Sequence, residues 1–561
     1  MTPKNSTLKT MKRALFVVLL AALLPLAFTQ TNNYFEISKN LDIYASLYKE
    51  LNTYYVDEVQ PSDLMRQGID GMLNSLDPYT SYISESEIEG YRMQTTGKYG
   101  GIGALVRKVG RYITISEPYE GYAANKAGLL AGDKVIEIDD ISVMDKETDD
   151  ISKLLKGQAG TNVTLTVLRT QSDGSEKEMD IVVVREDIKI KNVPYYGMID
   201  AETGYIRLSN FTDDAGKEVR DALDDLKTKN PGIKGLVFDL RGNPGGLLGE
   251  AVNVSNVFVD KNQPIVSTRG KAQEWDKTFK TLNSAVDLNI PVAVLINRGS
   301  ASASEIVAGS LQDLDRAVII GQKSFGKGLV QTTRNLPYNT KLKITTAKYY
   351  TPSGRCIQAL DYAHKDATGA APRTPDSLKV AFKTSGGRTV YDGAGIDPDV
   401  DVDLKQMNKI TASLLSKNHI FNYATLYRAK NPTIVAAKDF RLTDKEYQDF
   451  VTYLSSKEYD YSTKSEELIK ELETVTKDEK YYDAISAELV KLKQSVKHDK
   501  SNDLVKHKEE IRKMLEEEIV SRYYYSTGRI VLGFNYDADV TAALKVLNNN
   551  TEYRKLLTAG K

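Results

Sequence analysis

A cluster of serines and a glycine-flanked lysine lie near each other in the middle of the chain and could supply a nucleophile and its base. The serines are in Asn297-Arg-Gly-Ser-Ala-Ser-Ala-Ser-Glu305, and the lysine is in Ser324-Phe-Gly-Lys-Gly-Leu-Val-Gln331. A serine hydroxyl becomes a good nucleophile when a neighbouring base takes its proton, and a lysine in its neutral form can be that base. These two segments are therefore the candidate site for nucleophilic catalysis.

Histidine, the more common base, is poorly placed in this chain. The four histidines are His364, His419, His498 and His507, so none precedes the serine cluster, and three lie in a polar C-terminal part. Lys327 is the better candidate, because Gly326 and Gly328 on either side of it let other backbone segments approach closely.

The elements around the serines would place them at the end of a sheet. Pro291-Val-Ala-Val-Leu-Ile296 predicts a buried strand, and apolar residues recur at helical spacing from Ile306 to Leu314. A tight turn between strand and helix would expose a serine, and the N–H groups of the helix's first turn could bind a developing oxyanion. We interpret Glu305, in that first turn, as favouring the helix dipole and not as a catalytic acid.

Taken together, these segments resemble the C-terminal processing (tail-specific) serine proteases, which use a Ser–Lys–Gln arrangement and carry a PDZ domain. Phe238-Asp-Leu-Arg-Gly-Asn-Pro-Gly-Gly246 is similar to the family's oxyanion loop. Tyr349-Tyr-Thr-Pro-Ser-Gly-Arg355, with Ile357-Gln358, is similar to the strand that follows its lysine. The resemblance covers about residues 40 to 405 and leaves the C-terminal tail uncovered.

The resemblance implies a role for particular residues of this chain. In the family the nucleophile and the lysine are 25 residues apart, which is the spacing of Ser302 and Lys327 and selects Ser302 among the clustered serines. Gln331 would then orient the lysine. The oxyanion hole would be formed by backbone N–H groups, one from Ala303 and the other from Gly245 or Gly246.

Each motif by itself has a simpler explanation. A Ser/Ala alternation often caps a helix or forms a connector, and a glycine-flanked lysine is commonly a surface turn. Asp239 and Arg241 could equally be a structural ion pair. The joint occurrence of the motifs, in the family's order, favours the enzyme.

Composition excludes several other classes of function. The 561 residues predict three or four domains, and 75 basic against 76 acidic residues leave a net charge of −1, so nothing indicates a nucleic-acid partner. The single cysteine, Cys356, rules out an intramolecular disulfide and a thiolate metal cluster. Since no metal or nucleotide motif is present either, no cofactor and no metal are predicted.

Residues 1–29 are predicted to be a secretory signal peptide. Four basic residues precede an apolar run at 14–28, which is shorter than the roughly 20 residues that cross a bilayer. Cleavage is expected after Thr29, and an uncleaved signal anchor is the alternative and the only membrane attachment predicted. We therefore expect an exported protein, periplasmic if the source is a Gram-negative bacterium.

The remainder divides into four predicted regions. Residues 30–96 should form short amphipathic helices, which in the family often mediate dimerisation, so a homo-oligomer and a small helical cap are both open. Residues 188–404 indicate an α/β catalytic core of layered, ClpP- or crotonase-like βαβ units. Residues 405–561 predict a helical extension, whose charge runs indicate a solvated helical face, with partner binding or capping of the protease as the alternative.

Residues 97–187 resemble a PDZ domain inserted before this core. The carboxylate-binding loop would be Tyr99, Gly100, Gly101, Ile102 and Gly103, whose N–H groups could converge on a peptide C-terminus while the peptide adds to a sheet edge. Arg169 is at a position linked to ligand sensing in some relatives, and an exposed strand-end charge is the alternative.

The leading hypothesis is an exported serine endopeptidase that recognises protein or peptide substrates by their free C-termini. A catalytically silent PDZ scaffold on the same fold is the alternative, disfavoured because Ser302, Lys327 and Gln331 are all present. A crotonase-like acyl-CoA enzyme shares the layered core but is disfavoured by the export signal and the PDZ domain.

Overall fold

The computed structural model of the protein describes residues 34–403, 406–496 and 500–559. The predicted signal peptide lies outside these residues. Within the described ranges, no helix is both long enough and apolar enough to cross a membrane. The chain forms two units, one ending at Tyr82 and the other beginning at Ile83, and each is described by itself.

The first unit contains two helices, at 34–54 and at Pro61–Asn74. Proline at the first helical position is favoured because its missing N–H would have no partner there. A turn follows at Leu76-Asp77-Pro78, in which Asp77 Oδ1 accepts the N–H groups of Tyr79 and Thr80 at 2.8 and 2.9 Å. A short strand, Ser81–Ile83, follows the turn.

The region predicted to be a PDZ domain follows the helix Ile88–Thr96. Its main sheet is antiparallel, with strands Ala104–Val109, Tyr112–Pro118, Lys134–Ile138, Ile141–Ser142, Asn162–Thr170 and Glu176–Val184. A separate ladder pairs Lys98–Gly101 with Glu186–Lys189, and the helices are Ala123–Lys126 and Thr148–Leu155. Within the described residues Ala104–Val109 pairs only with Tyr112–Pro118, so its other edge is open beside the helix Thr148–Leu155.

The predicted catalytic core is built on a second sheet whose strands lie in chain order. Its strands are Tyr195–Met198, Thr203–Arg207, Gly235–Asp239, Val292–Ile296, Val318–Gly321 and Val400–Asp401, all parallel except the first. Alternate residues point to opposite faces of a strand, so both faces of this buried sheet need cover. The helices Ala215–Lys229, Leu248–Phe258 and Ala303–Asp313 cover one face.

The opposite face is covered by the end of the chain. Val540, Ala543 and Leu547 of the helix Ala538–Leu547 pack against alternate strand residues such as Val237 and Leu295. The last helices of the extension, Ala538–Leu547 and Asn550–Leu556, therefore complete the core, as a capping element would. Sequence periodicity marks an apolar face but does not say which sheet that face will cover.

A third sheet carries the residues that follow Lys327. It contains Pro264–Gly270, Lys277–Lys280, Leu329–Leu336 and Thr340–Tyr350. The last two strands form an antiparallel pair with a register shift between Val330 and Gln331. A small ladder of Ala381–Lys383 with Thr389–Tyr391 follows.

The C-terminal helices also contact the sheet of the predicted PDZ domain. Besides the two core helices they are Lys409–Ser416, His419–Lys430, Asp444–Leu454, Lys464–Asp478, Tyr482–Val496, Lys500–Lys506 and Lys508–Gly533. The Arg107 guanidinium lies 3.6 Å from the centre of the Phe421 ring, and Glu117 accepts the Ser526 N–H at 2.7 Å. The longest helix is kinked at Tyr525, where φ is +55°. The antiparallel sheet is thus held by contacts with the C-terminal extension.

Candidate active site

Ser302 stands at the turn between a buried strand and a buried helix. The strand Val292–Ile296 precedes the turn, and the helix Ala303–Asp313 begins immediately after Ser302. Ser302 has φ +54° and ψ −112°, a backbone conformation that L-residues rarely adopt. The predicted strand, turn and helix are confirmed at this position.

The three clustered serines differ in their exposure. Ser300 and Ser304 are fully buried, and their hydroxyls donate to the carbonyl oxygens of Leu240 and Asn243, both at 2.9 Å. Ser302 is partly exposed. Two of the serines therefore hold the predicted oxyanion loop against the helix, and Ser302 is the one of the three that is not buried.

Glu305 joins the serine turn to the lysine loop. Its Oε1 accepts the Ser324 hydroxyl at 2.5 Å and the Gly326 N–H at 2.7 Å, and its Oε2 accepts the N–H groups of Ser302 at 2.8 Å and Lys327 at 2.9 Å. The side chain is fully buried, and burial raises its pKa to about 7 although the four hydrogen bonds favour the charged form. The interpretation of Glu305 as a helix-dipole residue missed this role. The S-x-x-E spacing from Ser302 was the available signal.

Tyr349 holds the same two residues by their carbonyl groups. Its buried hydroxyl lies 2.7 Å from Lys327 O and 3.1 Å from Ser302 O. Burial raises the pKa of this phenol well above its usual value, so it stays protonated and can donate. Glu305 and Tyr349 together fix the backbone of Ser302 and Lys327.

The glycines beside Lys327 are required by close packing. A Cβ on Gly326, which has φ +89°, would lie 2.4 Å from the Ala359 Cβ, and one on Gly328 would lie 2.8 Å from the Gln358 nitrogen. The Gly328 N–H donates to Gln358 Oε1 at 2.7 Å. The segment around Lys327 is therefore held against the segment that contains Gln358.

Gln331 lies on the strand Leu329–Leu336, at the register shift. Its Nε2 donates to Thr345 Oγ1 at 3.1 Å, which anchors the side chain to the neighbouring strand.

The predicted oxyanion loop lies against the serine turn. A Cβ on Gly245, which has φ +99°, would lie 2.8 Å from both the Ser302 Cβ and the Ala303 nitrogen. The Gly245 N–H already donates to Asn243 Oδ1 at 2.9 Å. Among the hydrogen bonds of the described residues, neither the Ala303 N–H nor the Gly246 N–H has an acceptor.

Arg241 anchors the start of this loop through three carboxylates. It forms the ion pair with Asp239 that the sequence left open, at 2.7 Å, and it also reaches Asp537 and Asp539 of the C-terminal extension, both at 2.8 Å. Burial alone would raise the pKa of Asp239, but Arg241, with Arg207 and the Tyr205 hydroxyl, outweighs burial, and the pKa falls below its usual value.

The predicted peptide-binding loop leads into the open edge strand of the antiparallel sheet. Tyr99, Gly100 and Gly101 are paired in the ladder with Glu186–Lys189. Ile102 and Gly103 follow, and Gly103 has φ +70° with a Cβ position only 2.7 Å from the Tyr122 Cβ. The close approach explains the glycine.

Arg169 lies in the strand Asn162–Thr170, near its end. Its guanidinium binds Asp133 at 2.6 and 2.8 Å and the Gly128 carbonyl at 2.8 Å. It is therefore a partly buried side chain that holds the turn before Lys134–Ile138, and not an exposed strand-end charge; its link to ligand sensing stays a prediction.

No group of three or more potential metal ligands occurs among the residues that the structure describes.

The layered core, the serine at a helix N-terminus and the attached sheet with an open edge define a serine peptidase that carries a peptide-binding domain.

Comparisons with known proteins give the family. Residues 202–364 match the model of peptidase family S41, residues 114–169 match a PDZ domain, and residues 410–547 match the C-terminal helical domain of probable PDZ-proteases. A carboxy-terminal-processing protease of Bartonella bacilliformis is 41% identical over 332 residues, which are 59% of this chain and 75% of the relative. The chain belongs to this family of carboxy-terminal-processing serine proteases, and the predicted family and fold class are confirmed.

Two further similarities are weaker. A probable CtpA-like serine protease of Staphylococcus aureus is 38% identical over 321 residues, 57% of this chain and 62% of the relative. The structure of a photosystem II D1 C-terminal processing protease is 26% identical, and the match covers 64% of this chain and 86% of that protein, with a TM-score of 0.36.

Replacing Ser302 by glycine should relieve backbone strain that alanine retains. The strained conformation costs about 1–3 kcal/mol, and the greater chain entropy of unfolded glycine offsets about 0.5–1 kcal/mol. We expect Ser302→Gly to be more stable than Ser302→Ala by about 1 kcal/mol in urea unfolding. At Ser304, inside the helix, the order should reverse, and the same order at both positions would contradict the strain argument.

The charge of Glu305 should make stability depend on pH. Burial raises the pKa of Glu305 to about 7 in the folded protein, whereas its pKa in the unfolded chain is near 4.5. The side chain therefore contributes fully to stability below about pH 4.5, and this contribution is lost as the pH rises through about 7. The stability of the wild type minus that of Glu305→Gln should therefore fall by about 3 kcal/mol between about pH 4.5 and pH 8. Urea unfolding of both proteins at several pH values measures this difference, and a constant difference would count against it.

Proposed function

We propose that the chain is an exported endopeptidase in which Ser302 is the nucleophile and Lys327 its general base. The main support is the partial exposure of Ser302 at the helix N-terminus, between two buried serines and against the glycine loop. Lys327 is half-buried, and its backbone is bound by the same Glu305 and Tyr349 that bind Ser302.

In the proposed reaction Ser302 Oγ attacks the carbonyl carbon of the scissile peptide bond, and neutral Lys327 takes the hydroxyl proton. The tetrahedral intermediate collapses when the C–N bond breaks and the leaving amine receives that proton. Water then hydrolyses the acyl-enzyme. Gln331, anchored on Thr345, is proposed to orient the lysine.

The proposed oxyanion hole consists of the N–H groups of Ala303 and Gly246. Ala303 is the first residue of the helix, Gly246 follows the glycine that packs against it, and neither N–H has an acceptor among the described residues. Gly246 is preferred to Gly245 because the Gly245 N–H is already bound by Asn243. Donors fixed before the reaction stabilise the developing charge without reorganisation.

The PDZ domain is proposed to select substrates by their free C-termini. A peptide could add as a strand to the open edge of Ala104–Val109, beside the helix Thr148–Leu155, with its carboxylate at the loop that ends in Gly103. Export, and a periplasmic site in a Gram-negative source, remain part of the proposal and rest on residues 1–29.

Single substitutions test the proposed catalytic pair. Ser302→Ala and Lys327→Arg should abolish cleavage of an unstructured peptide with a free C-terminus, because alanine has no hydroxyl and a guanidinium keeps its proton. Ser300→Ala and Ser304→Ala should retain part of the activity. Mass spectrometry of the products measures the result. Cleavage by purified Ser302→Ala would refute the assignment, and a peptide-binding scaffold would then be favoured.

Amidation of the peptide tests the role of the PDZ domain. Removing the terminal negative charge should weaken binding to the full-length Ser302→Ala protein by at least about tenfold, since a charged hydrogen bond contributes about 1.5–3 kcal/mol. Calorimetry with paired acid and amide peptides measures the effect. Equal affinities would exclude recognition of the carboxylate.

A further inference from the structure

The C-terminal helical domain reaches the loop that precedes the nucleophile. We propose that Asp537 and Asp539 are positioning residues of the active site, which hold Arg241 and thereby fix the loop that presents the Gly246 N–H to the reacting carbonyl. This inference rests on the proposed function.

The guanidinium of Arg241 is shared between two parts of the chain. Toward the core it donates Nε and Nη2 to Asp239 at 3.0 and 2.7 Å. Toward the extension it donates Nη1 to Asp537 at 2.9 Å and to Asp539 at 2.8 Å. Its side chain is only 15% exposed, so these charge-assisted hydrogen bonds are little weakened by solvent.

Arg241 is the first residue of the loop whose shape matters for catalysis. The next residue, Gly242, donates its N–H to Asn297 Oδ1 at 2.9 Å, and Asn243 donates Nδ2 to the Leu208 carbonyl at 2.8 Å. Residues 241–246 contain no helix or extended ladder, so their conformation depends on such side-chain contacts. Loss of the Arg241 anchor would therefore be transmitted directly to Gly245 and Gly246.

The helix Ala538–Leu547 holds the carboxylates of Asp537 and Asp539 in place. Asp537 caps the helix Ala538–Leu547 by accepting the N–H groups of Asp539 and Val540, and this helix packs on the central sheet through Val540 and Ala543. Asp539 also accepts Gln322 Nε2 at 3.3 Å. The extension therefore presents a fixed acidic pair to a loop of the core.

The test uses the full-length protein with Asp537→Asn and Asp539→Asn, singly and together. Asparagine is nearly isosteric and is also a good helix N-cap, so the helix should be kept. We expect the double variant to lower kcat about 10- to 100-fold with KM within about twofold, because a displaced oxyanion donor affects the transition state more than substrate binding. A peptide boronate, which forms a tetrahedral adduct on serine, should bind more weakly by a similar factor.

A matched control separates positioning from general stability. Glu510→Gln removes a half-buried carboxylate of the same domain, which binds Asn408 and does not contact Arg241, and it should leave kcat unchanged. In an Arg241→Lys background the two aspartate changes should cost much less than in the wild type, since they act through the guanidinium.

Wild-type kcat in the double variant, or an equal loss in Glu510→Gln, would overturn the inference. Cleavage by Ser302→Ala would instead overturn the proposed function, so the two failures are distinguishable.

Discussion

The proposed arrangement of Ser302 and Lys327 depends on the hydrogen bonds of one buried side chain, the carboxylate of Glu305. It binds backbone N–H groups of Ser302, Gly326 and Lys327, and the last two lie more than twenty residues beyond it along the chain. Burying a carboxyl group is costly unless its oxygens are satisfied by hydrogen bonds, and here four donors meet it. Tyr349 binds the carbonyl groups of Ser302 and Lys327. The serine turn and the lysine loop are thus joined through backbone groups of both segments.

The central sheet is covered on one of its faces by helices from the end of the chain. Its two faces are both apolar, and the three helices between the strands cover only one of them. The other face, which includes Val237, Leu295 and Ile320, is covered by helices at the end of the chain. If this face were exposed to water, the protein would lose the free energy of burying it, about 25 cal/mol for each Å² of apolar surface. The extension therefore has a structural role, because its last helices bury one face of the central sheet.

The same extension also holds the sheet of the PDZ domain. Phe421 lies against Arg107, and the kinked helix meets the domain at Glu117 through Ser526 and at Asn125 through Tyr525. These contacts leave the edge of Ala104–Val109 unpaired within the described residues. The edge proposed to bind peptides and the loop proposed to form the oxyanion hole are consequently both held by one helical domain.

The sequence by itself determined the family, the strand–turn–helix around Ser302 and the strands of the core, because apolar periodicity and motif order are local properties. The buried strand Val292–Ile296, for example, lies within the predicted segment Pro291–Ile296. Only the tertiary structure decided which serine is exposed, that Glu305 joins two loops, that Arg169 binds Asp133, and that Arg241 is held by Asp537 and Asp539. Each of these depends on contacts between residues that are distant along the chain. The sequence around a charged residue or a serine does not identify the partner that folding brings next to it.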